Sequence, residues 1–197
     1  MPQQYFEEEP AVASDRRTVR LALPDVTLDL VTDSGVFSKE DVDPGSKLLL
    51  LEAPEPAQSG ALLDLGCGYG ALAVTMAARA PDADVWAVDV NRRAVELTAE
   101  NARTNGFDNV RAVTPDAVPD DLRFRTIWSN PPIRIGKPAL HDLLREWLPR
   151  LDANGETILV VHKHLGSDSL AAWLTQEGWA VDRLKSRMGY RILSVTR

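Results

Sequence analysis

Asn130 is followed by two prolines, an arrangement suited to holding a planar amine. The segment reads "WSNPPI" over residues 128–133. Proline fixes φ, lacks an N–H and restricts the residue before it, so Pro131 and Pro132 predict a rigid turn after a strand. That turn would hold the Asn130 side chain beside the Pro131 carbonyl. Two adjacent acceptors can bind both hydrogens of an –NH₂ group and orient its nitrogen toward an electrophile.

A glycine-rich turn, Gly66-Cys67-Gly68-Tyr69-Gly70, follows a short apolar run. Glycines let the backbone turn sharply and approach a ligand, and the amides of the helix that follows attract an anionic group. The pattern satisfies the dinucleotide-binding fingerprint, but it also suits the methionine end of a methyl donor. The turn by itself does not distinguish these two ligands.

Three aspartates follow predicted strands. Asp64 lies two residues before the first glycine, where its charge opposes a pyrophosphate but suits an ammonium group; the alternative is a cap on the next turn. Asp89 ends the next strand, where a carboxylate can accept from the two ribose hydroxyls of either ligand. Asp116 follows the third strand and can accept from an adenine amino group, although a plain turn aspartate fits equally well.

Two histidines, His162 and His164, alternate along a predicted strand and would therefore share one face. A zinc site requires three or four ligands, and the nearest candidates, Asp168 and His141, have no motif spacing. We therefore predict a structural or hydrogen-bonding role for both histidines and no metal site.

The elements that position these residues alternate between strand and helix from residue 61 onward. This alternation predicts an α/β fold with a mostly parallel sheet that is covered on both faces. The last two strands, "WAVDRLKS" and "YRILSVTR", have only Met188-Gly189 between them, so they must pair as an antiparallel hairpin. Before the sheet, "TVRLALPDVTLDLVT" predicts a β-hairpin, and "DPGSKLLLLEA" predicts a helix with Pro44 in its first turn.

Charge and cysteine content restrict the class of protein. The chain has a net charge of −7, which disfavours tight autonomous binding of nucleic acid because phosphate contacts supply much of that affinity. Residues 183–197 are an exception, with five basic side chains and no acid; they form either a basic face or a solvated strand edge. The single cysteine, Cys67, fits a reducing cytoplasm. No apolar run approaches the ~20 residues of a membrane span.

Residues 1–15 are polar and lack periodicity, so we predict a flexible tail there and one domain over residues 16–197. The start has neither the basic nor the apolar region of a secretory signal, which supports a cytoplasmic location without membrane contact.

The combination of Asp64-Leu-Gly-Cys-Gly-Tyr-Gly70, Asp89, Asp116 and Asn130-Pro-Pro-Ile133 resembles class I S-adenosylmethionine-dependent methyltransferases that modify planar amines. Segments 35–50, 130–137, 160–170 and 189–194 are similar to the RsmC-like ribosomal RNA guanine-N2 methyltransferases and their single-domain relatives. The resemblance covers roughly residues 17–197, and it implies a seven-stranded, Rossmann-like methyltransferase sheet that ends in an antiparallel hairpin.

The resemblance also implies roles for individual residues. Asn130 and the Pro131 carbonyl orient the amine, Pro132 stiffens the turn and Ile133 lines the target pocket. Phe37 and Lys47 help to close the donor pocket. The complete predicted set of S-adenosylmethionine contacts is Phe37, Lys47, Asp64, Gly66, Cys67, Gly68, Asp89, Val90, Asp116, Ala117 and Asn130.

Two departures from the family pattern affect the predicted substrate. Two-domain members carry an additional N-terminal domain, for which this chain has no room, so either substrate recognition comes from elsewhere or the substrate differs. Relatives that methylate adenine or glutamine commonly have an aromatic residue where this chain has Ile133, which argues against a flipped adenine. We predict methylation of guanine N2 in ribosomal RNA, within a ribosomal subunit. The alternatives are a methyltransferase for protein glutamine or a small amine, an NAD(P)-dependent oxidoreductase and a non-catalytic binding module.

Overall fold

Strands and helices alternate along residues 11–197, the part of the chain that the computed structural model describes, with the Arg134 side chain excepted. Nine strands lie in these residues: β1 (Arg17–Ala22), β2 (Thr27–Thr32), β3 (Gly60–Leu65), β4 (Ala83–Val88), β5 (Val110–Val113), β6 (Phe124–Ser129), β7 (Leu151–His162), β8 (Ala180–Arg187) and β9 (Tyr190–Thr196). The five α-helices of this part are α1 (Pro44–Glu52), α2 (Ala71–Arg79), α3 (Arg92–Thr104), α4 (Lys137–Trp147) and α5 (Ser167–Gln176).

The central sheet has seven strands in the order β5-β4-β3-β6-β7-β9-β8. The first five of these neighbours run parallel, whereas β9 is antiparallel to both β7 and β8. This confirms the predicted mostly parallel sheet with a C-terminal antiparallel hairpin. The chain winds in one direction from β3 to β5 and then crosses back to β6 on the other side of β3. Ligands of open α/β sheets bind at such a reversal, beyond the carboxyl ends of the strands.

The helices divide the core between the two faces of the sheet. Apolar residues of α1, α2 and α3 pack on one face, where Leu49, Ala73 and Val74 are fully buried. Side chains of α4 and α5 pack on the other face, around the fully buried Leu144 and Leu174. Both faces are therefore closed to solvent, and the strand ends remain the place where polar side chains can meet a ligand.

The N-terminal hairpin of β1 and β2 is held against α3 by one asparagine. Asn101 Oδ1 accepts from the Val31 amide at 2.7 Å, and its Nδ2 donates to the Val31 carbonyl at 2.8 Å and the Tyr69 carbonyl at 2.7 Å. The Asn101 side chain thus hydrogen-bonds to the backbone N–H and C=O of Val31 at the unpaired edge of β2, as a neighbouring strand would. The hairpin confirms the predicted one, and it places the loop of residues 33–43 over the carboxyl edge of the sheet.

The structure differs from the sequence-based expectation at the end of one strand. Helix α4 stops at Trp147 and continues as a 3₁₀ turn, Leu148–Arg150, because Pro149 cannot continue the α-helical hydrogen bonds. Strand β7 ends at His162, and His164 lies in the 3₁₀ turn Lys163–Leu165. The prediction that both histidines lie on one strand was therefore wrong.

The predicted flexible tail falls partly on residues 1–10, which lie outside the described residues. Within the described part, the Ser14 hydroxyl donates to Asp33 Oδ2 at 2.7 Å, and the Asp15 amide donates to Asp33 Oδ1 at 2.6 Å. The boundary between tail and domain stays a prediction. Among residues 11–197, no helix is long and apolar enough to cross a bilayer.

Candidate active site

A cavity of about 550 Å³ opens at the carboxyl edge of the sheet, at the reversal between β3 and β6. This volume falls within the roughly 300–1,000 Å³ of typical small-molecule sites. Its walls come from the loop of residues 33–43, the turns after β3, β4 and β6, and the end of β7 with the start of β9. The cavity therefore gathers the segments in which the sequence placed its candidate residues.

Gly66 and Gly68 form the floor of the cavity beside β3. Both have positive φ, +78° and +57°, a conformation that L-residues with side chains rarely adopt. A Cβ built on Gly66 meets no atom within 4 Å, and one on Gly68 meets only Val36, at 4.0 Å. Any side chain at either position would project into the cavity, so these glycines leave room for a ligand against the backbone.

Asp89 faces this floor from the end of β4. Its Oδ2 accepts from the Gly68 amide at 2.9 Å, and its Oδ1 accepts from the Asn91 amide at 3.0 Å. Each oxygen keeps a further lone pair that can accept from a ligand hydroxyl. Burial raises the pKa of Asp89, with the backbone donors opposing that shift. The carboxylate is thus fixed in position at the cavity wall, as a ribose-binding acceptor requires.

Asp64 is turned away from the cavity. It is fully buried, and its Oδ2 accepts from the Ala73 amide at 2.9 Å in the first turn of α2. Its Oδ1 is buried without a hydrogen-bond partner among the described residues. Burial raises the pKa of Asp64 to about 8, with the nearby Asp89 charge adding to the shift. The geometry is that of the helix cap that the sequence left as an alternative.

Asn130 lies at the cavity wall with its side-chain amide fixed. Nδ2 donates to Asp43 Oδ2 at 2.8 Å and to Ser46 Oγ at 3.0 Å, both at the start of α1. Asp43 Oδ2 also accepts from the Ser46 amide at 2.9 Å, which makes Asp43 the N-cap of α1. With both amide hydrogens engaged, Oδ1 is left as an acceptor on a residue that lines the cavity.

The backbone next to Asn130 supplies a second acceptor. Pro131 and Pro132 line the cavity with Ile133, as the sequence predicted for this turn. The Pro131 carbonyl accepts from the Ile133 amide at 2.8 Å, which leaves one lone pair for a ligand. The buried Ser129 hydroxyl donates to the Leu65 carbonyl at 2.6 Å. This bond joins the ends of β6 and β3, and so sets Asn130 beside the glycine floor.

Two apolar side chains are exposed at the cavity mouth. Phe37 is 44% exposed and Val90 is 41% exposed, and both line the cavity. Asn91 connects them, because its Nδ2 donates at 2.8 Å to the carbonyl of Gly35, two residues before Phe37. An apolar surface of this kind can pack against a planar ring while Asp89 binds an adjacent sugar.

Of the predicted site residues, nine line the cavity: Phe37, Gly66, Gly68, Asp89, Val90, Asn130, Pro131, Pro132 and Ile133. Five lie away from its lining: Lys47, Asp64, Cys67, Asp116 and Ala117. Lys47 is exposed on α1, and the Cys67 thiol is buried against Thr98, with Sγ 3.5 Å from Oγ1. Asp116 and Ala117 are exposed in a 3₁₀ turn, Pro115–Ala117, of which only Pro115 reaches the cavity.

Sequence reasoning missed the role of Asp43. The pattern Asp43-Pro44-Gly45-Ser46 identifies a helix N-terminus, but nothing local connects it to a residue 87 positions away. His162 and Tyr190 also line the cavity, with their rings edge to face and 4.8 Å between centroids. Ile133 therefore shares the cavity lining with two aromatic side chains, one from β7 and one from β9.

These residues fit a nucleoside-containing methyl donor. Asp89 can hold a ribose, Val90 and Phe37 offer an apolar wall for an adenine, and the missing Cβ atoms of Gly66 and Gly68 leave room for an end group against the backbone. Asn130 and Pro131 line the same cavity and offer acceptors for a second, amine-bearing ligand. The arrangement can place an amine against an activated carbon atom.

Comparison with known proteins agrees with this arrangement. Residues 27–194 match the family model of the methyltransferase small domain. The chain is 36% identical to the uncharacterized protein YbxB of Bacillus subtilis, with each covered over its whole length. It is 33% identical to ribosomal RNA small subunit methyltransferase C of Cronobacter sakazakii, over 81% of this chain and 47% of that protein.

A solved structure shows the same fold with ligands bound. It is the 16S rRNA N2 methyltransferase RsmC of T. thermophilus in complex with AdoMet and guanosine, with a TM-score of 0.80 and 26% identity. The match covers 95% of this chain and 52% of that one. This chain therefore spans about half the length of the ribosomal RNA methyltransferases that it matches.

Proposed function

The chain belongs to the methyltransferase small domain family, and from this premise we propose that it uses S-adenosylmethionine to methylate the exocyclic N2 amine of guanine in ribosomal RNA. The observation that carries the proposal is the fixed Asn130 side chain. Its two amide hydrogens are engaged by Asp43 and Ser46, so its oxygen is left to accept from a ligand, and the carbonyl of the next residue, Pro131, is the second acceptor that we assign to the amine.

The donor side of the site consists of the glycine floor and Asp89. Gly66 and Gly68 admit the methionine portion against the backbone, Asp89 accepts from the ribose hydroxyls, and Val90 and Phe37 pack against the adenine. Bound there, S-adenosylmethionine supplies a methyl group activated by a positively charged sulfur. Asp64 supports this floor from behind by holding the start of α2 through Ala73.

The acceptor side orients the amine. The nitrogen of an aromatic amine is a weak nucleophile because its lone pair is delocalised into the ring. Asn130 Oδ1 and the Pro131 carbonyl each accept one amine hydrogen, which directs the lone pair toward the donor and stabilises the positive charge that develops on nitrogen. Ile133, His162 and Tyr190 enclose the base and limit access of water.

The substrate class is supported by the relatives and by the aromatic lining. Ribosomal RNA methyltransferases are among the proteins that the chain matches, and one of them is seen with guanosine. An aromatic pair, His162 and Tyr190, offers a stacking surface for a base that has been taken out of an RNA stack. The amide nitrogen of a protein glutamine or a small planar amine would satisfy the same two acceptors, and the experiment below distinguishes them.

The direct test is transfer of labelled methyl from S-adenosylmethionine to small ribosomal subunits and to the RNA extracted from them, followed by nucleoside analysis. Label in N2-methylguanosine would support the proposal. Label confined to ribosomal protein would assign the site to an amide substrate. No label in either, with S-adenosylhomocysteine binding measured by calorimetry, would contradict the RNA substrate and direct the search to small amines.

Two variants make this test specific to the site. Asn130→Ala should reduce transfer about 100-fold or more while S-adenosylhomocysteine binding stays within about twofold of wild type, because the residue positions the acceptor amine. Asn105→Ala is the control, since Asn105 follows α3 outside the cavity and its Nδ2 donates to the Asp29 carbonyl. Equal transfer by the two variants would contradict the role assigned to Asn130.

A further inference from the structure

A basic surface lies beside the mouth of the cavity, along the last two strands. It consists of Lys163, Arg183, Lys185, Arg187 and Arg191, which we call the β8–β9 surface. Strand β8 is the edge of the sheet, and Arg183, Lys185 and Arg187 keep 48%, 49% and 60% of their side chains exposed. Five cations are therefore concentrated at this edge of the sheet in a chain whose net charge is −7.

A β-bulge distributes these cations over both sides of the edge strand. Arg183 pairs with Leu193 and Lys185 pairs with Ile192, so Leu184 is the extra residue of β8. Before the bulge, Arg183 points toward α5 and contacts Asp168 at 2.8 Å. After it, Lys185 and Arg187 point toward α1 and contact Glu52 at 3.1 and 3.3 Å.

The carboxylates do not neutralise this surface. Glu52 faces two cations, and Asp168 also faces two, because Arg191 contacts it at 3.2 Å. Lys163 is exposed and adds a fifth positive charge at the end of β7. The side chains of Arg183, Lys185 and Arg187 are about half exposed, and ion pairs of exposed cations contribute little to stability, so these three can exchange partners at small cost. The β8–β9 surface therefore keeps a net positive charge that can bind a polyanion.

The pairing of β7, β9 and β8 places one end of this surface next to the cavity. His162 of β7 lies opposite Tyr190 of β9, and Tyr190 lies opposite Arg187 of β8. His162 and Tyr190 line the cavity, so Arg187 is next to its mouth, and Lys185 and Arg183 follow along the strand. The turn between β8 and β9 is tied to this corner, because the Lys163 amide donates to the Gly189 carbonyl at 2.8 Å.

Met188 is exposed at the tip of that turn. The residue is 72% exposed, and its φ is +52°, which is uncommon for a residue other than glycine. Single-stranded nucleic acids bind to proteins that combine a cationic track for phosphates with apolar or aromatic surfaces for bases. Here the cations run along β8, Met188 stands at the corner, and the aromatic residues His162 and Tyr190 lie inside the mouth.

We propose that the β8–β9 surface binds the phosphate backbone of single-stranded RNA adjacent to the nucleotide that enters the cavity. This inference rests on the proposed function, because it takes RNA as the substrate. Charged side chains on an edge strand also prevent pairing with other sheets, and that role alone would leave RNA affinity independent of them.

The test compares RNA binding by wild type with that of a variant carrying Arg183→Ala, Lys185→Ala and Arg187→Ala. The probe is a fluorescein-labelled single-stranded oligonucleotide taken from the RNA that is methylated, with affinity measured by anisotropy over a range of salt concentrations. The control variant carries Arg103→Ala, Arg111→Ala and Arg123→Ala, which removes the same charge from exposed positions outside the β8–β9 surface. S-adenosylhomocysteine binding and thermal unfolding confirm that each variant is folded.

We expect the β8–β9 variant to bind RNA about tenfold or more weakly, with a salt dependence lower by up to about 2 in the slope of log K against log salt, since each phosphate contact contributes about 0.7. The control variant should stay within about twofold of wild type. Equal loss in both variants, or loss in neither, would overturn the proposal while RNA methylation by wild type still upholds the proposed function.

Two further outcomes are distinguishable from these. Wild type that binds S-adenosylhomocysteine but neither binds nor methylates RNA contradicts the proposed function, and the RNA surface is overturned with it. Polyglutamate that binds as tightly as the oligonucleotide, with the same dependence on Arg183, Lys185 and Arg187, would instead assign the surface to an acidic polypeptide and overturn the proposal.

Discussion

The side-chain amide of Asn130 donates to Asp43 Oδ2 at 2.8 Å, and the two residues are 87 positions apart in the chain. Through this contact the N-cap of α1 orients the acceptor at the end of β6. Asp43 also lines the cavity, and its contact with Asn130 fixes the side-chain amide together with Ser46, whose Oγ accepts from the same Nδ2 at 3.0 Å. The start of α1 thus has two functions, helix capping and positioning.

The first prediction separates these two functions of Asp43. Asp43→Ala should lose the cap, at a cost of roughly 0.5–2 kcal/mol in the free energy of unfolding, and should let the Asn130 amide rotate. Asp43→Ser keeps a good capping residue but withdraws the carboxylate from Asn130. We expect both variants to lose up to about 100-fold in kcat, with donor affinity unchanged, and only Asp43→Ala to lose stability.

Steady-state kinetics and urea denaturation of the two variants measure these effects. Full activity in Asp43→Ser would mean that Asp43 serves only to cap α1.

The second prediction concerns the floor of the cavity. Gly66→Ala and Gly106→Ala introduce the same methyl group at φ values of +78° and +83°, and neither new Cβ meets an atom within 4 Å. Each should lose roughly 1–2 kcal/mol of stability, because an L-residue is strained in this conformation. Only the methyl group of Gly66→Ala enters the cavity.

Calorimetry should therefore show that S-adenosylhomocysteine affinity falls about tenfold or more in Gly66→Ala, a loss of about 1.4 kcal/mol. It should be unchanged in Gly106→Ala. Equal affinities would place the donor away from the glycine turn.

The third prediction tests Asp89 as the ribose acceptor. Two backbone N–H groups already point at its oxygens, so the –NH₂ of Asp89→Asn would face a donor and could not accept from a hydroxyl. A hydrogen bond to a charged group contributes about 1.5–3 kcal/mol, so donor affinity should fall about tenfold to 100-fold. Asp84→Asn, on the exposed side of the same strand, is the matched control. If donor affinity is unaltered in Asp89→Asn, Asp89 does not bind the donor.

The fourth prediction concerns pH and Asp64. Burial raises its pKa in the folded protein to about 8, from an ordinary value of 3.8. Between these values the folded state holds a proton that the unfolded state has lost. The contribution of Asp64 to stability therefore falls as pH rises from about 4 to about 8 and is constant above that range.

Urea denaturation at pH 5 and pH 8 tests this. Wild type should lose a few kcal/mol more than Asp64→Asn between the two pH values, since each pKa unit corresponds to about 1.4 kcal/mol. Groups that do not interact with Asp64 cancel in the comparison. Parallel loss in the two proteins would show that Asp64 is ionised when folded.

The sequence by itself determined the elements and the chemistry at their ends. Alternation of strand and helix predicts the parallel sheet, and the two-residue turn at Met188 requires the antiparallel hairpin, because these features depend on neighbouring residues. The glycine turn and Asn130-Pro-Pro are likewise local, since φ restriction and missing Cβ atoms act on the backbone where they occur. Nine predicted site residues accordingly line the cavity.

Only the tertiary structure decided which side chains face the cavity. Asp64 turns inward to Ala73, Lys47 points outward from α1, and the Cys67 thiol packs against Thr98. A motif places a residue near a ligand, but its direction depends on how the adjacent helix packs. Asp43 reaches Asn130 only because α1 packs on β7, the sheet neighbour of β6. Contacts between residues so far apart follow from strand order and helix packing, which no local pattern specifies.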